Sequence, residues 1–481
     1  MTAMLMQRRI PASSMDAGAL AVVVLLLCLW APQVRAAPAG AEVTEFPGFH
    51  GDFPSKHYAG HLAYITVGDA VQKRHMYYYF ATSEREPNLD PVIIWINGGP
   101  ACSGFSAFLH SIAPFKIDGT KVHVRDKPRV TQNPFSWTKM ASLLLVDSPA
   151  GVGYSYADNE EDYTTNDSNR VLDLYDFLSK WFSEYSEFLS NPFYIAGCSY
   201  SGVIVPVLAQ EVIRRNEEGG GIQINFKGYS LCNPAVDVDI ENNAFVPYAF
   251  RMGLISNELF QSLVATCKGK YWNNSIPSCQ EDLTQFYMQI KSINMEHILC
   301  PPCQYKMGIT KEVTEYDFGQ MFERLSKTSK HGVECHNQEL SLEELFETKL
   351  GRDKLHAKPV EVSGAWKRCP KYIQYTRDIL TLTEYHSNIT SKGYRFFLYS
   401  GDHSLLVPFS ATLEWLKKLN YKEIEKWHPW FVDNQIAGYS IRYDNNILFA
   451  TIKGAGHVPS DYLPFEAFVA YQRWIDGADS L

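Results

Sequence analysis

Phe193-Tyr194-Ile195-Ala196-Gly197-Cys198-Ser199-Tyr200-Ser201-Gly202 reads as a short apolar strand that turns abruptly into a helix beginning near Val203. Gly197, Ser201 and Gly202 are small, as a strained strand-to-helix turn packed close to its neighbours requires. A serine at such a turn is lifted out as a nucleophile. The usual G-x-S-x-G spelling has its second glycine at the position of Ser201, and here it comes one residue late. Two further strand ends complete a constellation. Phe396-Phe397-Leu398-Tyr399 runs into Ser400-Gly401-Asp402, and Leu448-Phe449-Ala450-Thr451-Ile452 runs towards Gly454-Ala455-Gly456-His457. Ser, Asp and His in that chain order, each at a strand end, define an α/β-hydrolase fold. His457 is then the base that takes the Ser199 proton, and Asp402 the carboxylate that orients the imidazole. His403 is a second imidazole beside Asp402; as the neighbour of the acid it is expected to point elsewhere. The chemistry implied is acyl transfer through a covalent serine.

The stretches around this constellation agree with it. Val92-Ile93-Ile94-Trp95-Ile96 is a buried strand entering the tight loop Asn97-Gly98-Gly99-Pro100, and Leu143-Leu144-Leu145-Val146-Asp147 is another strand. Val171, Leu174, Phe177, Leu178, Trp181 and Phe182 have helical spacing between Asn169 and Tyr185, and Phe465 to Trp474 forms a closing helix. Strands alternating with helices imply a mostly parallel central sheet covered on both faces. The oxyanion hole is expected from the backbone N–H groups of Tyr200 and Gly99. The stretch 249–364 is helical and charged and carries five cysteines, which reads as an inserted helical cap. The expected division is a signal peptide over 1–36, core over 37–248, cap over 249–364 and core again over 365–481.

The leader follows from Arg8 and Arg9, an apolar run from Ala19 to Ala31, and small residues flanking Arg35 in Val34-Arg35-Ala36. A retained anchor is the alternative. After cleavage the chain is expected in a secretory lumen, vacuolar or extracellular, without a membrane span. Nine cysteines follow the leader, an odd number, so at least one is left over if the rest pair within the chain. Cys300-Pro-Pro-Cys303 has CxxC spacing but no second CxxC or histidine cluster nearby, and no metal or organic cofactor is expected. Sequons at Asn166, Asn273 and Asn388 fit a lumenal glycoprotein. The net charge of −9 comes without a long charged run, which argues against nucleic acid as a partner.

Several segments resemble those of serine carboxypeptidases. They are Trp95-Ile96-Asn97-Gly98-Gly99-Pro100-Ala101-Cys102-Ser103, Asn133-Pro134-Phe135-Ser136-Trp137, Asp147-Ser148-Pro149-Ala150-Gly151-Val152-Gly153-Tyr154 and the His457 segment. The likeness runs from about Phe46 to Trp474 and is similar to the plant serine carboxypeptidase-like proteins, many of which are acyltransferases using 1-O-β-glucose esters. The resemblance implies disulfides Cys102–Cys369, Cys267–Cys279 and Cys303–Cys335, leaving Cys198, Cys232 and Cys300 unpaired.

In the peptidases of this family a Glu before the nucleophile, a second Glu after the oxyanion loop and the loop Asn hold the substrate's terminal carboxylate. A glutamate pair does so by sharing protons and donating hydrogen bonds. Here those positions are Cys198, Ser111 and Asn97, so the substrate contacts are expected from Asn97, Gly98, Ser111 and Cys198, and carboxypeptidase activity should be poor. Ala101 replaces a glycine and Ser404 a common Asp. Cys198 is expected to be a buried, inert thiol. The reading that follows is transfer of an acyl group, aromatic by the family likeness, from a 1-O-β-glucose ester to a hydroxylated acceptor. A carboxypeptidase or esterase is the first alternative and a non-catalytic scaffold the second.

Overall fold

The computed structural model describes residues 37–65, 73–118, 129–301, 342–478 and 481. The expected leader, Cys303 and Cys335 lie outside the described residues. One large sheet organises the chain. Its main strands are β1 (Glu42–Val43), β2 (His57–Ile65), β3 (Lys73–Ala81), β4 (Val92–Ile96), β5 (Ser142–Val146), β6 (Phe193–Cys198), β7 (Phe226–Cys232), β8 (Arg395–Gly401), β9 (Glu423–Val432), β10 (Gln435–Tyr443) and β11 (Ile447–Ile452). Their spatial order is β1-β2-β3-β5-β4-β6-β7-β8-β11-β10-β9. The centre, β5-β4-β6-β7-β8-β11, is parallel, and the strands on either side are antiparallel.

The central strands are short and largely apolar because both faces are covered. In β4, Ile93 and Trp95 enter one core while Val92, Ile94 and Ile96 enter the other, the period-two alternation of a strand. Each such side chain fully removed from water contributes about 1.5–3 kcal/mol. The second core is closed by helix α1 (Asp167–Glu184), which buries Val171, Leu174, Phe177, Leu178, Trp181 and Phe182, and by α2 (Ser201–Glu218). Asn166 starts α1 by accepting the Asn169 amide at 2.8 Å.

The β9–β10 hairpin, between the Asp402 and His457 strands, was not foreseen. Its turn residues Asp433 and Asn434 have φ of 47° and 62°, the left-handed pair that matches strand twist in a two-residue hairpin. A third core joins α3 (Val238–Arg251), α4 (Asn257–Cys267) and α5 (Pro277–Ile290); residue 249 lies inside α3. Leu405 and Leu406, from the loop after β8, pack into it, and both donate their amides to Met295 O at 2.9 and 2.8 Å. The inserted helices are thereby tied to the catalytic loops. Cys267–Cys279 staples α4 to α5. Among the described residues, no helix is long and apolar enough to cross a membrane.

Candidate active site

Ser199 stands between β6 and α2 with φ 61°, a conformation that costs a non-glycine residue roughly 1–2 kcal/mol. Neighbours on every side fix it. Its amide donates to Cys232 O at 3.0 Å, and its carbonyl accepts from Gly202 N and Ala235 N, each at 2.9 Å. The late glycine of the motif now has a reason. A Cβ on Gly202 would collide with Pro234 and Ala235, so this is the residue that must be small. Ser201 instead puts its hydroxyl to use, donating to Ile96 O at 2.6 Å.

The expected oxyanion loop lies against this turn. A Cβ on Gly98 would come within 2.7 Å of Cys198 O and 3.0 Å of Tyr200 N, so only glycine admits so close an approach. Gly99 has φ 119°. The buried Arg170 braces the loop from below, donating to Pro100 O, to Asn97 O at 3.1 Å and to Ser148 Oγ at 3.3 Å. Cys102–Cys369 ties the loop's far end to the segment after the cap. Tyr200 is held through its hydroxyl, which donates to Asp167 at 2.9 Å, as does that of Tyr375. Arg170, Asp167 and Tyr375 were missed from sequence: a charged residue on a helix reads as solvated until the loop it supports is folded over it, and nothing in the chain around Tyr375 points to Asp167, 208 positions away.

Asp147, buried beneath the loop, accepts from Ser103 Oγ at 2.5 Å and Tyr154 N at 2.9 Å. Loss of water pushes its carboxyl up to about 7 against those hydrogen bonds. Its folded-state value lies above the ordinary carboxylate value, so between about pH 4 and pH 7 the folded chain keeps a proton that the unfolded chain has lost. The contribution to stability is present at acid pH and disappears as pH rises through about 7. Thermal denaturation from about pH 5 to about pH 8 should show the wild type losing stability relative to Asp147→Asn. Parallel curves for the two proteins would count against this origin of the pH dependence.

His457 follows β11 and is 4% exposed. Its amide donates to Glu296 O at 2.7 Å. Burial, with a smaller contribution from the charge of His110, pushes its imidazole down to about 3, so it is neutral across ordinary pH. Its Nε2 has no protein hydrogen-bond partner.

The expected acid is not where the sequence reading put it. The Asp402 carboxylate lies 2.6 Å from His403 Nδ1 and accepts the Gly454 amide at 2.7 Å. It holds its own neighbour and the loop leading to His457, not the His457 ring. The group facing His457 Nδ1 is the hydroxyl of Ser404, at 3.3 Å. The chain leaves β8 at Gly401, and it is the residue three positions further on that turns back under the imidazole. His403, expected to point elsewhere, is thus the imidazole that occupies Asp402.

Cys198 is corrected as well. It is no thiol: it pairs with Cys232 on the adjacent parallel strand, where the two residues are in register. Of the three other positions expected to touch substrate, Gly98 lies against the nucleophile turn as described above, and Asn97 is buried and accepts the Trp95 indole N–H at 3.4 Å. Ser111 is buried with φ 52°, and its carbonyl accepts Asn133 Nδ2 at 2.8 Å. Of the sequon residues, Asn388 and Asn273 are exposed, while Asn166 is half-buried and engaged as the α1 cap. Among the described residues no group of three or more His, Cys, Asp or Glu is placed to hold a metal ion.

A strained serine at the carboxyl end of a parallel strand, a glycine loop beside its amide and a histidine from the last parallel strand are the site of an α/β-hydrolase. Residues 47–477 match the serine carboxypeptidase family. Serine carboxypeptidase 1 of Hordeum vulgare is 40% identical, covering 92% of this chain and 94% of its own. Serine carboxypeptidase-like 20 of Arabidopsis thaliana is 36% identical, covering 95% and 97%. The prohormone-processing carboxypeptidase of Saccharomyces cerevisiae shares the fold, with a TM-score of 0.71 at 18% identity over 92% of this chain and 96% of its own. The chain belongs to the serine carboxypeptidase family.

Proposed function

We propose that the protein is a slow acyltransferase of the secretory lumen, vacuolar or extracellular, that moves an acyl group from a 1-O-β-glucose ester to a hydroxylated acceptor. The observation that carries this reading is the state of Cys198. The position beside the nucleophile that clamps a peptide's terminal carboxylate in the peptidases is consumed by a disulfide to the next strand. Ser111, at the second clamp position, is buried with its carbonyl already bonded. A site lacking both acid groups discriminates poorly for a free carboxylate. The parts needed for acyl transfer are retained: the strained Ser199, the Gly98-Gly99 loop and the Tyr200 amide.

In this mechanism Ser199 Oγ attacks the donor ester with its proton passing to His457 Nε2. The sugar leaves with that proton, and the acceptor hydroxyl then repeats the sequence on the acyl-serine. Ser404 fixes the imidazole but brings no charge to stabilise its cation, which makes the enzyme slow. Intact-protein mass measured after incubation with 1-O-benzoyl-β-glucose should rise by one benzoyl group, and the Ser199→Ala variant should show no such increment. An increment retained in that variant would remove Ser199 from the mechanism.

The same Ser404 favours a second reading, a non-catalytic ligand-binding member of the family. Failure of a fluorophosphonate to label Ser199 in the folded protein would select it.

A further inference from the structure

The loops that carry Ser404 and His457 are joined by a third segment. After α5 the chain passes as a strap, 294–299, between the loop following β8 and the loop following β11. On one side Met295 O accepts the Leu405 and Leu406 amides, and Ile298 N donates to His403 O at 3.1 Å. On the other side Glu296 O accepts the His457 amide, and His297 Nε2 lies 3.0 Å from Gly454 O. A Cβ on Gly456 would come within 2.6 Å of Glu296 O and 2.8 Å of His297 Cβ, so strap and base loop are in direct contact. His297 is 6% exposed, and both its nitrogens are engaged. Nε2 donates to Gly454 O, and Nδ1 accepts the Leu299 amide at 3.2 Å. Only the neutral ring with its proton on Nε2 satisfies both contacts. A proton added at Nδ1 turns that nitrogen into a donor facing the Leu299 N–H. It also sets a cation beside the His403 ring, 5.6 Å away, whose own Nδ1 is held by Asp402. Tyr462, from the short helix Pro459–Tyr462, packs 4.5 Å from His297 on another side, and Glu296 precedes it in the strap. Burial above all, with the charge of His403, keeps the imidazole below the ordinary histidine value, against the pull of Gly454 O and Asp402.

We propose that His297 is a positioning residue: neutral, it clasps the His457 loop to the Ser404 loop, and on protonation it loosens that clasp and slows acylation of Ser199. This rests on the reading above in which His457 activates Ser199, and it holds whichever ester is the donor. The clasp acts through geometry. Ser404 Oγ stands 3.3 Å from His457 Nδ1, a contact with little slack, so a small shift of either loop is felt at the base.

The test is the pH profile of fluorophosphonate labelling at Ser199, from about pH 7.5 to about pH 4.5, for the wild type, His297→Ala and His297→Gln. At about pH 7.5 His297→Ala should label about tenfold more slowly than the wild type. His297→Gln, which offers a side-chain N–H to Gly454 O, should recover part of that loss. The rate ratio of His297→Gln to wild type should then rise by about threefold or more as pH falls to about 4.5, because only the wild type takes up the proton. His457, pushed down to about 3, stays neutral across this window and does not supply the change. A slower His297→Ala together with a ratio that is constant with pH would mean that the ring only fills space, and would overturn the inference. So would a His297→Ala rate equal to that of the wild type. Should His297→Ala fail to fold, the ratio for His297→Gln decides alone: a rise supports the clasp, a flat profile overturns it. Absence of wild-type labelling at every pH would instead overturn the reading that His457 activates Ser199, and the inference with it.

Discussion

Replacing Ser404 by Asp should accelerate fluorophosphonate labelling of Ser199 by about 10²–10⁴, the factor by which the orienting carboxylate improves catalysis in triads of this type. Ser404 is fully buried, and its hydroxyl stands 3.3 Å from His457 Nδ1. An aspartate there carries a carboxylate towards the same nitrogen, and a buried imidazolium beside it loses much of its desolvation cost. The effect should also show in stability. His457 is pushed down to about 3 in the folded protein, below its ordinary value of about 6.5. The unfolded chain therefore binds the extra proton first, and the wild type loses stability as pH falls from about 6.5 towards about 3. Ser404→Asp raises the folded value and should make that acid limb shallower. Asp402→Asn, by contrast, removes a partner of His403 and Gly454 and should affect labelling far less than Ser404→Asp does. If Ser404→Asp labels no faster than the wild type, while Asp402→Asn abolishes labelling, Asp402 is the working acid and the assignment made here is wrong.

The second large effect concerns the bridge at the nucleophile. Cys198 and Cys232 are 34 residues apart and both buried, at 2% and 1% exposure. Cross-linking a loop of that length constrains the unfolded chain by about 3–4 kcal/mol in the chain-entropy account. The bridge also clamps β6 to β7 where Cys232 O accepts the Ser199 amide, so it helps hold a backbone conformation that serine would not keep unaided. The double variant Cys198→Ser with Cys232→Ser should lose about 2–4 kcal/mol of stability and label more slowly at Ser199. Denaturant unfolding and labelling rates read the two consequences separately. Wild-type values for both would mean that the strands and the elbow are fixed without the disulfide.

Much of this was legible in the chain. Val92–Ile96, Phe193–Ala196 and Leu448–Ile452 are apolar runs of strand length ending in glycine or a small turn, and they become the parallel centre of the sheet. Ser199 and His457 could be read because each follows such a strand in a loop with few other chemical groups. Asp402 misled because it satisfied the same rule: a carboxylate at a strand end in the right chain order. What decides between residues 402 and 404 is the path of the chain after Gly401, set by Leu405 and Leu406 packing into the cap core and bonding Met295. That path is a tertiary fact. The substitution at Ser404 was visible, but as a departure rather than as the loss of the acid. Cys198–Cys232 was hidden for a related reason. Two cysteines pair across parallel strands only when the strands are neighbours and in register, and no local pattern reports either condition. The bracing role of Arg170 is likewise created by the loop it supports.

The most direct test of acyl transfer without peptide recognition is a paired assay on the wild type and Ser199→Ala. One arm offers 1-O-benzoyl-β-glucose with a panel of hydroxylated acceptors, and the other offers blocked dipeptides at acid pH. The expected result is Ser199-dependent ester formation with no peptide cleavage. Ser199-dependent peptide cleavage without ester formation would contradict it, and would show that the terminal carboxylate is recognised despite the disulfide at Cys198 and the buried Ser111.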